Sequence, residues 1–263
     1  MILAALQLDI AWHDPAANRS RVEAMLRGRR LPPGSFVLLP ELFDVGFSTD
    51  LAAILPSDAP RWAAALAREL AIHLQFGFPE LAPDGFGRNC MAIARPDGSL
   101  SPTYAKIHPF GYGRETESFR GGDRLVLVPC GEFLVMPAVC YDLRFPELFR
   151  HAALAGANLI SIGASWPEPR AAAWRALSIA RAIENQSFLV ACNRVGTDPN
   201  ARYSGGSLVV SPEGEVLAEG DASESIVEAR CDLARCDAWR ARFPALRDAR
   251  RSLLGSIGIE RSG

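Results

Sequence analysis

The sequence lacks the features that mark membrane and nucleic-acid-binding proteins. No apolar run reaches the roughly eighteen residues that a membrane-spanning helix needs. The 28 basic and 30 acidic residues nearly balance, giving a formal net charge of −2, and they form neither a basic block nor an acidic tail. Attraction to polyanions therefore has no basis in the sequence. We therefore expect the protein to bind neither nucleic acid nor membranes.

Clustered metal ligands are also missing. The six cysteines include no C-x-x-C pair, and the four histidines are scattered, without the spacing that zinc sites use. Residues 1–9 are apolar but have no positively charged segment and no cleavage site, so they predict a first strand rather than a signal peptide. These observations predict no metal site, reduced thiols and a cytoplasmic location.

Lysine is almost absent. Of the 28 basic residues, 27 are arginine and only Lys106 is lysine. An arginine-rich composition can reflect a biased genome, in which case Lys106 is a chance surface cation. The alternative is a site that needs a compact ammonium on a flexible stem, which the planar guanidinium of arginine cannot replace.

Apolar runs and helical patterns alternate along the 263 residues, of which 49% are hydrophobic, with no Ser/Gly linker and no repeat. This organisation predicts a single domain over residues 1–263, built as a layered α/β sandwich. The predicted strands are residues 2–8, 35–39, 75–78, 89–94, 125–128, 133–139, 158–162, 188–192, 207–211 and 226–229. The predicted helices are residues 15–27 with Asp14 as the N-cap, 57–71, 146–155 and 169–186, and hairpin turns are predicted at residues 96–98 and 212–214.

Three chemically active residue types stand near the ends of predicted strands. Glu41 and Cys140 each follow an apolar strand, and Lys106 follows a third segment. Clefts in α/β sheets open at the carboxyl ends of strands. Cys140 also precedes a helix that begins at Pro146, which favours the thiolate. Each residue alone has an ordinary structural explanation, but together they supply the base, cation and nucleophile of acyl transfer through a thioester.

The segments that carry these residues form three distinctive blocks: Leu39-Pro40-Glu41-Leu42-Phe43, Tyr104-Ala105-Lys106-Ile107-His108-Pro109-Phe110 and Val139-Cys140-Tyr141-Asp142-Leu143-Arg144-Phe145-Pro146-Glu147. They resemble the signature blocks of the nitrilase superfamily of carbon–nitrogen hydrolases. Residues 181–186 and 192–196 resemble its omega-amidase branch, whose members hydrolyse the side-chain amide of 2-oxo acids such as 2-oxoglutaramate. The resemblance implies a four-layer α-β-β-α sandwich, a homodimer and a reaction without a cofactor.

The resemblance also implies roles for individual residues. Glu41 is expected to be the base, Cys140 the nucleophile, and Lys106 with the backbone N–H of Tyr141 the oxyanion donors. A second glutamate is expected to orient the lysine. Both Glu115 and Glu117 are candidates, and we select Glu115 because the omega-amidase pattern places this glutamate nine residues beyond the lysine (115 − 106 = 9).

Arg144 and Trp166 are candidate substrate-binding residues. A guanidinium four positions beyond the nucleophile suits a substrate carboxylate, although Arg144 could equally form a salt bridge with Asp142 or Glu147. Trp166 ends a predicted strand and either lines the acyl pocket or packs in the core. The expected substrate is a small amide that carries a carboxylate.

Other functions remain open at this point. Within the superfamily they are carbamoyl-amino-acid hydrolase, aliphatic amidase and nitrilase. A serine hydrolase would use Ser165 in Gly163-Ala164-Ser165-Trp166-Pro167, which is only half of a G-x-S-x-G elbow. A catalytically silent dimeric scaffold is the third possibility. Pro109 and residues 163–165 depart from the superfamily pattern. The first departure bears on the loop that carries Glu115 and the second on the pocket, so both bear on the substrate and neither on Glu41, Lys106 and Cys140.

Overall fold

The alternating apolar strands assemble into two large sheets in the computed structural model, which describes residues 1–262. The strands are β1 (Ile2–Gln7), β2 (Phe36–Leu38), β3 (His73–Leu81), β4 (Gly87–Ala94), β5 (Tyr104–Ala105), β6 (Arg124–Cys130), β7 (Phe133–Val139), β8 (Leu159–Ala164), β9 (Phe188–Asn193), β10 (Val195–Thr197), β11 (Arg202–Ser204), β12 (Leu208–Val210), β13 (Val216–Glu219), β14 (Ser225–Arg230) and β15 (Gly258–Arg261). One sheet has the order β14-β1-β2-β3-β4-β5 and the other β13-β12-β9-β8-β7-β6-β15, while β10 and β11 form a separate ribbon.

The helices are α1 (Pro15–Arg29), α2 (Leu51–Ile54), α3 (Ala59–Leu70), α4 (Glu115–Ser118), α5 (Pro146–Leu154), α6 (Ala171–Asn185) and α7 (Leu233–Arg242). The buried faces of α1 and α3 pack on the first sheet, and those of α5 and α6 pack on the second. The order of layers is therefore α-β-β-α, and the predicted fold class is confirmed.

Burial on both faces explains why the strands are continuous apolar runs. Along β1, Leu3 and Ala5 belong to the core that also contains the second sheet, whereas Ala4 and Leu6 belong to the core beneath α1 and α3. All four side chains are fully buried. Within residues 1–262, no helix combines the length and apolar character needed to cross a bilayer.

The predicted elements mostly match the observed ones. All four predicted helices form with ends within two residues, and the Asp14 carboxylate accepts a hydrogen bond from the Ala17 N–H at 3.0 Å, as expected of an N-cap. The turn at residues 212–214 joins β12 and β13 as a hairpin. The turn at residues 96–98 lies beside an isolated bridge between Ala94 and Leu100 and leads into β5, which pairs antiparallel with β4, so this turn also joins two strands.

Candidate active site

Glu41 lies in a sharp turn directly after β2, and its side chain is fully buried. The turn places Leu42 at a φ of 45°, in the left-handed region that non-glycine residues rarely adopt. Gly77 of β3 makes room for it, because a Cβ there would lie 2.6 Å from the Leu42 nitrogen. Gly163 of β8 permits a similar close approach to the Leu39 carbonyl oxygen, at 2.7 Å from an added Cβ. Two glycines therefore fix the turn that carries the carboxylate.

Lys106 follows β5 and points into the same buried space, with 1% of the residue exposed. Its Nζ lies 2.8 Å from Glu41 Oε1 and 2.8 Å from Glu115 Oε2. Burial alone would lower the pKa of this ammonium, but the negative charges of Glu115 and Glu41 outweigh it and raise the pKa. The only lysine of the chain is thus a buried cation.

Glu115 and Glu117, the two candidates for the second glutamate, occupy opposite environments on α4. Glu115 is fully buried, and its Oε2 also accepts a hydrogen bond from the Phe110 N–H at 2.6 Å. The Glu117 side chain is 58% exposed and forms an ion pair with Arg114 at the protein surface. The structure brings Glu115, and not Glu117, to Lys106.

Cys140 is the first residue of a 3₁₀ turn (Cys140–Arg144) that follows β7, and its φ is 43°. Burial, together with the negative charge of Glu41, raises its thiol pKa well above the usual value, and the charge of Lys106 opposes this only in part. The expectation of a favoured thiolate is therefore wrong. The helix at Pro146 begins six residues further on, and a carboxylate lies beside the sulfur instead.

Asp142 joins the lysine segment to the cysteine turn. Its carboxylate is fully buried and accepts hydrogen bonds from the Tyr104 hydroxyl at 2.8 Å, the His108 N–H at 3.0 Å and the Val139 N–H at 3.2 Å. Arg144 is not among its partners. Within residues 1–262, Arg144 forms no ion pair with Asp142 or Glu147, so the salt-bridge alternative is not what the structure shows.

Glu41, Lys106 and Cys140 lie at the floor of a cavity of about 900 Å³. Tyr141, Arg144 and Trp166 line its walls, and the Arg144 guanidinium carbon lies 4.9 Å from the centre of the Trp166 ring. Trp166 also packs against Trp174, with ring centroids 5.5 Å apart, so it lies in the core as well as in the cavity wall.

Four arginines line the same cavity, and they differ in their partners. Arg114 pairs with Glu117, and Arg202 pairs with Glu168. Within the described chain, Arg144 and Arg170 pair with no carboxylate; the guanidinium carbon of Arg170 lies 5.4 Å from the centre of the Phe110 ring. Sequence reasoning missed Arg170, because one more arginine in this arginine-rich chain gives no signal by itself.

Asn89 of β4 was also missed. Its amide Nδ2 donates hydrogen bonds to Glu41 Oε1 and Glu115 Oε1, each at 2.8 Å. An asparagine inside an apolar strand is the signal that could have found it, because a buried amide needs polar partners.

Ser165, the nucleophile of the serine-hydrolase alternative, lies in the cavity wall. Its backbone N–H donates a hydrogen bond to Glu41 Oε2 at 3.1 Å. Its hydroxyl is buried and has no hydrogen-bond partner within residues 1–262. A serine nucleophile needs an adjacent base, so this geometry does not support that alternative.

Comparisons with known proteins identify the class. A model of the carbon–nitrogen hydrolase family matches residues 2–241, and the chain belongs to this family. The 2-oxoglutaramate amidase of Bacillus subtilis (strain 168) is 33% identical over 255 residues, which cover 95% of this chain and 98% of that protein. The omega-amidase YafV of Escherichia coli (strain K12) is 34% identical over 251 residues, covering 94% of this chain and 96% of that protein.

A solved structure shows the same fold. XC1258 from Xanthomonas campestris, described as a CN-hydrolase superfamily protein with an arsenic adduct in the active site, superposes with a TM-score of 0.88 at 33% sequence identity. The match covers 95% of this chain and 97% of that one. The resemblance of the three sequence blocks to this superfamily is confirmed, and the chain is an enzyme of the carbon–nitrogen hydrolase class.

Proposed function

We propose that this hydrolase uses Cys140 to release ammonia from a small carboxylate-bearing amide, with the omega-amide of a 2-oxo acid such as 2-oxoglutaramate as the substrate. One observation carries the proposal. A thiol and a carboxylate–ammonium cluster lie at the floor of a cavity whose wall holds two guanidinium groups without a carboxylate partner in residues 1–262. The names of the amidases from B. subtilis and E. coli support the same substrate class.

The first half of the reaction forms a thioester. Glu41 accepts the thiol proton as the Cys140 sulfur attacks the amide carbon, and the C=O electron pair moves onto oxygen. Lys106 and the N–H of Tyr141 stabilise that oxyanion; the first N–H groups of a helical turn have no partner within it. When the oxyanion collapses, the C–N bond breaks, and the nitrogen leaves as ammonia with the proton from Glu41.

The second half returns the enzyme to its resting state. Glu41 takes a proton from water, and the resulting hydroxide attacks the thioester carbon. The C–S bond breaks, the sulfur regains its proton, and the product is a carboxylic acid. Glu115 orients Lys106 throughout, from the 2.8 Å contact between its Oε2 and Nζ. No step requires a cofactor.

The two unpaired guanidinium groups account for the preference for an anionic substrate. A guanidinium binds a carboxylate through two parallel hydrogen bonds, and such charge-assisted bonds are stronger than neutral ones. Because Arg144 is the last residue of the turn that begins at the nucleophile, it suits a carboxylate at the end of the substrate opposite to the amide. We assign Arg170 to the same recognition.

Ammonia release tests the proposal. The protein is expected to release ammonia from 2-oxoglutaramate far faster than from glutamine, a neutral aliphatic amide or a simple nitrile. Cys140→Ala should abolish release, whereas Cys192→Ala, which also removes a buried free thiol, should not. Faster turnover of the nitrile or the neutral amide would identify another superfamily activity, and no turnover of any substrate would indicate a silent scaffold.

We also propose a cytoplasmic homodimer, in line with the superfamily resemblance. Light scattering of the purified protein tests the assembly, since a dimer has twice the 28.5 kDa mass of the chain. A monomeric mass across micromolar concentrations would contradict it.

A further inference from the structure

Asn89 contacts all three charged members of the cluster. Besides the two bonds from Nδ2 to Glu41 and Glu115, its backbone carbonyl oxygen accepts a hydrogen bond from the backbone N–H of Lys106 at 2.8 Å. The residue lies within β4 and is 2% exposed. The amide of Asn89 therefore bridges the same two carboxylates that the Lys106 ammonium bridges.

The orientation of this amide follows from its neighbours. Ionised carboxylates only accept hydrogen bonds, so the NH₂ group and not the oxygen must face Glu41 and Glu115. The Oδ1 atom then points elsewhere and has no hydrogen-bond partner within residues 1–262. Unpaired buried oxygens are uncommon in folded proteins. Asn89 leaves its own acceptor unpaired while both of its donors serve the carboxylates.

The charges of the cluster explain why two extra donors matter. The titratable groups that face Glu41 and Glu115 are Lys106 from the segment after β5, Cys140 from the end of β7 and Tyr203 from β11. Only Lys106 is a cation, so one positive charge serves two buried carboxylates. The Ser165 and Phe110 N–H groups add one bond each. Asn89 supplies the remaining two.

We propose that Asn89 is a positioning residue, whose amide holds the Glu41 and Glu115 carboxylates on either side of Lys106 and keeps Glu41 free to accept the proton of Cys140. This inference rests on the proposed amidase reaction. Hydrogen bonds to a charged group favour the charged form. Removal of both donors therefore favours protonated carboxylates, and activity is lost at a higher pH than in the unmodified protein.

The pH profile of Asn89→Leu tests this role. The acidic limb of kcat/KM should move upward by about one pH unit or more, and kcat/KM at neutral pH should fall about tenfold or more. Asn18→Leu is the matched control, because Asn18 is also buried and its amide donates two 2.8 Å bonds, to the carbonyl oxygens of Ala11 and Asp44, outside the site. The control should lower Tm without moving the limb. An unshifted limb in folded Asn89→Leu would overturn the proposal.

A second readout separates this inference from the choice of substrate. The rate at which iodoacetamide alkylates Cys140 depends on proton transfer to Glu41 and on no particular amide, so its pH midpoint should shift in Asn89→Leu as well. A shifted alkylation profile without 2-oxoglutaramate turnover would reject the substrate and retain the role of Asn89. An unshifted alkylation profile together with normal 2-oxoglutaramate turnover would retain the substrate and reject the role of Asn89.

Folding of the variants is controlled separately. Asn89→Ser keeps one donor and should give a smaller shift in the same direction; it replaces Asn89→Leu if the latter does not fold. In the unmodified protein, the side-chain amide proton resonances of Asn89 should themselves shift at the midpoint of the acidic limb. A pair of resonances that does not respond to pH there would overturn the proposal even if neither variant folds.

Discussion

Replacing Lys106 by arginine keeps the positive charge and changes only the group that carries it. The structure leaves little room for the change. The ammonium is 1% exposed, lies 2.8 Å from a carboxylate oxygen on each side, and sits 5.4 Å from the centre of the Phe47 ring. A planar guanidinium is wider and reaches further, so it cannot place one nitrogen at that point while keeping both contacts.

The expected cost follows from the role proposed for the ammonium. Loss of one oxyanion donor lowers kcat by about 10²–10³, or about 2.7–4 kcal/mol of transition-state stabilisation. Lys106→Met removes the charge as well and leaves two buried carboxylates without a cation. Removing one partner of a buried ion pair costs about 3–5 kcal/mol of folding stability. Lys106→Arg is therefore the variant that separates catalysis from stability, because the charge remains.

Ammonia release at saturating substrate and the thermal unfolding midpoint are measured together. We expect folded Lys106→Arg with kcat lower by at least about a hundredfold. Arg114→Lys at the exposed cavity rim is the control for exchange of the two cations, and it should retain nearly full activity. A folded Lys106→Arg protein that keeps most of its turnover would remove Lys106 from the mechanism, and with it most of the argument for this reaction class.

Three further predictions follow from the site. A brief pulse of a neutral alkylator should label Cys140 first, because it alone lies beside the proposed base; faster labelling of Cys192, with activity loss tracking it, would contradict the assignment. Glu115→Gln should lower kcat strongly and Glu117→Gln only slightly, since only Glu115 contacts Lys106, and equal effects in steady-state assays would refute the choice. Arg144→Ala should lower kcat/KM about ten- to hundredfold for a carboxylate-bearing amide and much less for a neutral one, and equal losses would make Arg144 structural.

The sequence predicted the fold well wherever burial on both faces leaves a continuous apolar run. The observed bounds of β7 are the predicted ones, residues 133–139. Five strands were not predicted: β5, β10, β11, β13 and β15. They have two to four residues each. Their position depends on pairing with neighbouring strands or on adjacent turns, and their own composition gives no strand pattern. Helix α7 was not predicted because its apolar pattern is weak, with Cys236 as its only fully buried residue. Asp232 nevertheless caps this helix by accepting a hydrogen bond from the Ala234 N–H.

The site was predictable where residue type alone carries the chemistry. A lone lysine, a cysteine after a strand and a glutamate after a strand can be recognised without a structure. Asn89 and Arg170 could not be found in this way, because their roles depend on partners far away in the sequence. Asn89 reaches Glu41 across 48 positions and Glu115 across 26. Only the pairing of β4 with β3 and β5 places its side chain between them.

The neutral state of the resting thiol explains the balance of charge in the proposed reaction. When the sulfur attacks, its proton moves to Glu41 as a negative charge appears on the substrate oxygen beside Lys106, so the net charge of the buried cluster does not change in this step. A thiolate formed without transfer of its proton to Glu41 would add a negative charge to the cluster, and each additional buried charge costs several kcal/mol. The site therefore moves one negative charge from Glu41 to the substrate oxygen instead of accumulating a second. For this reason a carboxylate base beside the thiol serves the reaction, and a helix that lowers the pKa of the thiol does not.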